Sequence, residues 1–114
     1  MTEQQTMWSI NETTSIKTYT LANFRTIPEI QQMSEEAQFE MEVVGNVLPF
    51  KTNNYVVEQL IDWNNIPKDP MFVLTFPQKG MLIPEHYDKM ASTLKSGADK
   101  KEIQKVANDI RLKL

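Results

Sequence analysis

Apolar residues near the carboxyl end recur at helical spacing, and this repeat is the feature that most constrains the fold. Asp99 and Glu102 stand where a capping box would begin the helix. The apolar residues that follow fall at positions i, i+3, i+4, i+7 and i+11: Ile103, Val106, Ala107, Ile110 and Leu114. They share one face of a helix, and that face must pack on other segments of the chain. Because the chain has only 114 residues, we expect one core and one domain.

Two longer helices are predicted upstream, each with clear start and stop signals. Ser34 is a good N-cap for a helix that runs to about Gly45 or Val47, because two glutamates follow it at the positive end of the helix dipole. Pro84 suits the first turn of another helix, which Gly97 ends as a C-cap residue.

Shorter segments of structure are predicted in the remainder of the chain. Residues 21–25 and 28–33 have the caps and prolines of short helices, and Asn53 or Asn54 can cap a third. Residues 62–70 are rich in Asn, Asp and Pro, which is typical of a rigid loop.

The apolar segment that follows this loop is ambiguous. Residues 71–76 could form a buried strand, but no second clear strand exists to pair with it, so a helical turn or an extended segment is an equal alternative. We therefore predict an all-α fold, a small bundle of about five short helices with one extended or irregular segment near residues 71–78. Residues 16–114 form the helical domain, and the polar residues 1–15 form a disordered tail.

The residue types present exclude several kinds of chemistry. The chain has no cysteine, which excludes disulfides, thiolate metal sites, cysteine nucleophiles and an iron–sulfur cluster held by this chain itself. His86 is the only histidine, and in a helix it does not share the face on which Glu85 and Asp88 would lie. We therefore predict no catalytic, cofactor-binding or metal-binding residue.

Charge and hydropathy also limit the partners. Residues 1–94 carry six basic and twelve acidic groups, whereas residues 95–114 carry six basic and three acidic groups. Because the acids of the basic end are interleaved with its lysines, a solvated helix face is favoured over nucleic-acid binding. The chain lacks both a membrane-spanning apolar run and the apolar core of a signal peptide, so no membrane partner is predicted and the cytoplasm is the expected location.

Two segments combine proline, aromatic and amide side chains, which is typical of rigid, irregular structure. They supply the candidate interface residues: Leu48, Pro49, Phe50, Asn53, Asn54, Tyr55, Phe76, Pro77 and Gln78. Such segments can cover the surface of another domain, or they can simply close the core of their own. The residues alone do not favour either alternative.

The middle third of the sequence carries several short blocks in a distinctive order. The residues are Leu48, Pro49, Phe50, Asn53, Asn54, Tyr55, Ile61, Asp62, Asp69, Pro70, Leu74 through Gln78, Met81 and Leu82. In this order they resemble the N-terminal region of lysine 2,3-aminomutase-like proteins of the radical S-adenosylmethionine family. The resemblance covers roughly residues 20–114 and only the first quarter or so of a full family member, and none of its blocks is a catalytic motif.

The resemblance implies an enzyme with a partial α/β barrel. Such an enzyme holds a [4Fe–4S] cluster with a Cys-x3-Cys-x2-Cys motif, generates a radical from S-adenosylmethionine, and uses pyridoxal phosphate on a lysine to move an amino group between adjacent carbons. Since this chain has no cysteine, no cofactor is expected on it and the barrel is expected to begin after Leu114.

The resemblance therefore implies a structural, non-catalytic helical region. Its partner would be a radical S-adenosylmethionine barrel domain, in the same polypeptide or in a separate chain, and it would help subunits associate as a homo-oligomer. Without the barrel, Phe50, Tyr55 and Phe76 are expected to be exposed. The alternative is a free-standing helical protein-interaction module with no enzymatic parent.

Overall fold

Helices make up most of the chain that the structure, a computed structural model, describes, which is residues 16–114. The regular elements are β1 (Thr18–Thr20), α1 (Pro28–Gln31), α2 (Glu35–Val47), β2 (Lys51–Asn53), α3 (Pro70–Thr75), α4 (Pro84–Lys95) and α5 (Lys100–Arg111). Single turns of 3-10 helix lie at Phe24–Thr26, Trp63–Asn65 and Lys79–Met81, and a π-helical turn lies at Val56–Leu60. The predicted class, a mainly helical small bundle, is confirmed. The disordered tail predicted for residues 1–15 lies outside the described residues.

The three longest helices begin at the predicted signals, and α2 and α4 also end close to the predicted positions, whereas α5, for which no stop signal was predicted, ends at Arg111. The Ser34 hydroxyl accepts a hydrogen bond from the Ala37 amide at 3.0 Å, and the Asp99 carboxylate accepts one from the Glu102 amide at 2.9 Å. Gly97, with a φ of +76°, separates α4 from α5 in the left-handed conformation that favours glycine. These local caps define an antiparallel pair, α4 and α5, that packs against α2.

The first core cluster lies among these three helices. Its buried members are Val43, Val44 and Val47 from α2, Leu82, Tyr87, Met90 and Ala91 from α4 and the residues before it, and Val106, Ala107 and Ile110 from α5. The repeat on α5 is therefore confirmed except at its last position. Leu114 lies beyond the end of α5 and is 65% exposed, so it does not contribute to the core.

A second, aromatic cluster is formed by residues from the part of the chain that precedes α4. Phe24, Phe50, Phe76, Phe72 and Trp63 form a continuous series of edge-on and tilted ring contacts, with neighbouring ring centroids 5.4–5.7 Å apart. The Trp63 indole nitrogen donates to the Val57 backbone oxygen at 2.8 Å, which satisfies the one polar group of that ring. These contacts anchor the loop between the π-helical turn and α3.

The segment near residues 71–78 divides into two parts. Pro70 stands at the first position of α3, and the Asp69 carboxylate accepts a hydrogen bond from the Phe72 amide at 3.0 Å. This cap makes residues 71–75 helical rather than extended. From Phe76 to Gln78 the chain is extended, as predicted for this segment.

The sequence did not predict the two-stranded antiparallel sheet. Tyr19 of β1 pairs with Thr52 of β2, between Thr18 opposite Asn53 and Thr20 opposite Lys51. Both strands have three residues and neither has an apolar alternation, so no periodic signal reveals them. The helix predicted over 21–25 is also wrong, because this part of the chain forms a turn and then the 3-10 turn at Phe24–Thr26.

Candidate docking surface

Two of the predicted interface segments meet in one groove. Residues 48–50 follow α2, and residues 76–77 follow α3. Together with residues of α3 they line a shallow groove of about 150 Å³, here called the Leu74 groove: Leu48, Pro49, Phe50, Val73, Leu74, Thr75, Phe76, Pro77 and Met81. Apart from one threonine, every lining side chain from the described part of the chain is apolar.

The rim of the Leu74 groove exposes large apolar side chains. Leu74 is 81% exposed, and Val73 and Met81 are also exposed. This follows from the short helix α3, because Phe72 and Phe76 lie one turn apart and are buried, which turns Val73 and Leu74 outward. A set of neighbouring exposed apolar side chains is typical of an interaction surface.

The floor of the Leu74 groove belongs to the core of the chain itself. Phe76 is 1% exposed. The Phe50 ring lies edge-on to Phe24 and to Phe76, with both centroid distances 5.7 Å. The expectation that Phe50 and Phe76 are exposed in this chain is therefore wrong, because the chain supplies their packing partners.

The paired asparagines stabilise the backbone and do not line the Leu74 groove. The Asn53 side-chain oxygen accepts a hydrogen bond from the Val56 amide at 3.0 Å, which confirms the predicted cap. The Asn54 side-chain oxygen accepts a hydrogen bond from the Lys17 backbone amide at 2.9 Å, and the Asn54 backbone amide donates one to the Lys17 backbone oxygen at 3.0 Å. These two bonds extend the β1–β2 pairing. Tyr55 is 57% exposed, as expected, but it also lies outside the groove.

Gln78 does not line the Leu74 groove. Its amide nitrogen donates to the Phe76 backbone oxygen at 3.0 Å, which fixes the extended segment. It lines a separate cavity of about 540 Å³ that is bordered by α2 and mostly by apolar side chains, including Met33 and Met41. The predicted interface residues therefore do not form one surface: five line the Leu74 groove, the two asparagines stabilise the backbone, Gln78 lines this cavity, and Tyr55 is exposed outside all of these.

The described residues do not fit the cofactors that the resemblance implies. The chain has no cysteine, and residues 16–114 contain no group of three His, Cys, Asp or Glu side chains that could hold a metal ion. Every lysine of the chain lies in the described part and is exposed, including Lys79, which borders the cavity beside Gln78. We therefore derive no catalytic step through these groups.

Tyr87 is the one described titratable group with a resolved shift. Burial raises the pKa of its hydroxyl above the ordinary value, and the carboxylates of Glu40, Glu36 and Asp88 raise it further. The Lys79 ammonium lies 4.9 Å from the centre of the Tyr87 ring. The raised pKa keeps this hydroxyl neutral at ordinary pH, which suits a core residue rather than a general base.

The sequence prediction missed the exposed members of the Leu74 groove. Val73, Leu74 and Met81 were not among the predicted interface residues. The Asp69-Pro70 cap followed by phenylalanines four positions apart was a usable signal for Leu74, because a helical turn that buries Phe72 and Phe76 places Leu74 on the opposite side.

Comparison with known proteins gives no relationship for this chain. No family model, no curated protein and no solved structure matches it. Within residues 16–114, none of the helices combines the length and the apolar content needed to cross a bilayer.

Proposed function

We propose that this chain is the N-terminal helical region of a lysine 2,3-aminomutase-like radical S-adenosylmethionine protein, and that its role is structural rather than catalytic. In this proposal the Leu74 groove packs on the barrel domain, which is supplied by the same polypeptide or by a separate chain. The amino-group migration of the family takes place on that barrel.

The observation that supports the proposal most is the convergence of two resemblance blocks. Residues 48–50 and 74–77 carry part of the resemblance, lie far apart in the sequence, and line the same groove. The exposed side chains on its rim lack an apolar cover within the described chain. Burying them on a partner domain would stabilise the assembly by about 25 cal/mol for each Å² of apolar surface removed from water.

The donor chemistry of the chain supports the non-catalytic role. The family's cluster requires three thiolates, and this chain has none. A barrel domain that carries the cysteines would therefore have to provide the cluster.

Co-purification tests the proposal. The chain is expressed with a tagged barrel domain of a lysine 2,3-aminomutase-like protein from which the helical region has been removed. We expect the wild-type chain to co-purify, the Leu74→Lys variant to be lost, and the Leu112→Lys variant to be retained. Leu112 is a matched control because it is 85% exposed and lies outside the groove. Failure of the wild-type chain to co-purify, or equal recovery of both variants, contradicts the proposal.

A free-standing helical interaction module is the second candidate. The observation that favours it is the internal packing of Phe50 and Phe76, which do not need a barrel to cover them. The coding sequence beyond Leu114 distinguishes the two candidates. An in-frame Cys-x3-Cys-x2-Cys motif supports the aminomutase region, and a stop codon together with failed co-purification supports the module.

A further inference from the structure

A second groove lies between the β1–α1 connection, β2 and α5, and it differs from the Leu74 groove in charge. It has a volume of about 800 Å³ and is here called the cationic groove. Leu21, Phe50, Leu94, Ile103 and Ala107 contribute apolar surface to it, and Lys51, Lys100 and Arg111 contribute positive charge. We propose that the cationic groove binds an acidic peptide segment of a partner protein that carries a large apolar anchor side chain.

The apolar part of the groove depends on the close approach of three elements. Gly45 of α2 has no side chain, and a Cβ atom there would lie 3.0 Å from Leu21 Cδ1 and 3.1 Å from Phe50 Cε1. The missing side chain lets Leu21 and Phe50 lie against α2, opposite Ile103 of α5. The open volume of the groove lies beside these side chains, so an apolar anchor that enters it would leave water.

The charges around the groove do not cancel. Among the described lining residues Glu42 is the one acid, and its carboxylate already accepts a hydrogen bond from Arg25 at 2.8 Å. Lys51 and Lys100 are exposed, and neither forms an ion pair within residues 16–114. Arg111 is held by the backbone oxygens of Asn46 and Val47, so it adds a fixed positive charge.

This arrangement selects an acidic ligand on physical grounds. Lys51 and Lys100 come from different elements, β2 and the start of α5, and both lie beside the same apolar surface. Carboxylates on either side of an anchor residue can pair with both lysines, whereas a basic peptide would be repelled. The chain as a whole is acidic, with a formal charge of -3, whereas the cationic groove presents Lys51, Lys100 and Arg111, so its local charge favours an acidic ligand.

The ring contacts of Phe50 favour a peptide over single-stranded nucleic acid. Binding of single strands relies on aromatic ring faces on which bases stack. The Phe50 ring already packs edge-on against Phe24 and Phe76, and within residues 16–114 it is the one aromatic side chain that lines the groove. Among the described residues, the cationic groove therefore offers charge and apolar surface but a single aromatic ring, which already contacts two others.

Peptide selection with a matched pair of variants tests the proposal. Short random peptides are selected on the folded wild-type chain, with counter-selection on the Lys51→Glu/Lys100→Glu double variant. We expect the selected peptides to place Asp or Glu beside a large apolar residue. The affinity of one synthesised peptide should fall roughly tenfold or more in that double variant. The affinity should also fall when the apolar residue of the peptide is replaced by Ser.

The control is the Lys101→Glu/Lys105→Glu double variant. Both residues are exposed lysines on α5, they lie outside the groove, and the change in charge is identical. We expect wild-type affinity from this control, and thermal melting confirms that all variants fold.

Selection of no peptide, absence of an acidic bias, or equal loss in both double variants overturns the proposal. Tighter binding of single-stranded DNA with the same dependence on Lys51 and Lys100 also overturns it. The Leu74→Lys variant should bind the peptide normally, which keeps this test separate from that of the proposed function.

Discussion

Arg111, in the last turn of α5, donates from Nε to the backbone oxygen of Val47 at 2.7 Å. Its Nη2 atom also donates to the backbone oxygen of Asn46 at 3.0 Å, and its Nη1 atom contacts the Asn108 side chain. Val47 ends α2, so one guanidinium satisfies carbonyls that a helix terminus leaves unpaired. This contact joins the ends of two helices that are far apart in the sequence.

Replacing Arg111 is therefore expected to lower the free energy of unfolding. The Arg111→Ala variant should lose about 1–3 kcal/mol, because two partly buried carbonyls lose a charged donor. Arg111→Lys should recover only part of this loss, since a single ammonium cannot reproduce the fork of the guanidinium. Urea denaturation followed by circular dichroism measures both variants. Equal stability of the alanine variant and the wild-type chain would show that the contact contributes nothing.

The glycine between α4 and α5 gives a second prediction. Gly97 has a φ of +76°, whereas Gly80 has an ordinary φ, and neither would bring a Cβ atom within 4 Å of a neighbour. Because neither site is crowded, a difference between the two alanine variants reports the backbone conformation and not a steric clash. We expect Gly97→Ala to reduce the stability by about 1 kcal/mol and Gly80→Ala to leave it unchanged or slightly raised. Thermal melts compare the two variants directly, and an identical effect at both sites contradicts this explanation.

Tyr87 should make the stability sensitive to alkaline pH. Because its pKa is raised in the folded chain, the neutral hydroxyl stabilises the fold below the unfolded pKa, and this stabilisation is lost as the pH rises toward the folded pKa. The Tyr87→Phe variant should therefore lose less stability than the wild type above about pH 10. Tyr55→Phe is the control, since Tyr55 is exposed. The measurement is denaturant unfolding over a series of pH values, and parallel curves for wild type and Tyr87→Phe contradict the assignment.

The sequence predicted the parts of the fold that depend on residues close together in the chain. The caps at Ser34 and Asp99 and the turn at Gly97 depend on residues within one helical turn, so the three longest helices could be predicted. The pairing of Tyr19 with Thr52 could not be predicted, because each strand is too short to show a period.

The candidate docking surface was predictable only in part, for a similar reason. Pro49 and Pro77 marked rigid segments in the sequence, but their convergence depends on how α2 and α3 pack on the aromatic cluster. Phe50 and Leu74 show the consequence. Both are large apolar residues beside a proline-containing segment, yet the Phe50 ring packs on two other aromatic rings and Leu74 lies on the surface.

The exposed position of Leu74 leads to the last prediction, which concerns the surface and not the stability. The chain should bind a dye that fluoresces on apolar surfaces, and Leu74→Lys should reduce the signal roughly twofold, because Leu74 is more exposed than Val73 and Met81, the other large apolar side chains on the rim of the groove. Its free energy of unfolding should stay within about 0.5 kcal/mol of the wild-type value. Phe76→Ala should instead cost about 3–5 kcal/mol, because that ring is buried. Leu112→Lys, with the same chemical change at an equally exposed leucine, should leave the dye signal nearly unchanged. An equal decrease in both lysine variants would mean that the dye reports exposed leucines in general, and the Leu74 groove would then have no special affinity for apolar partners.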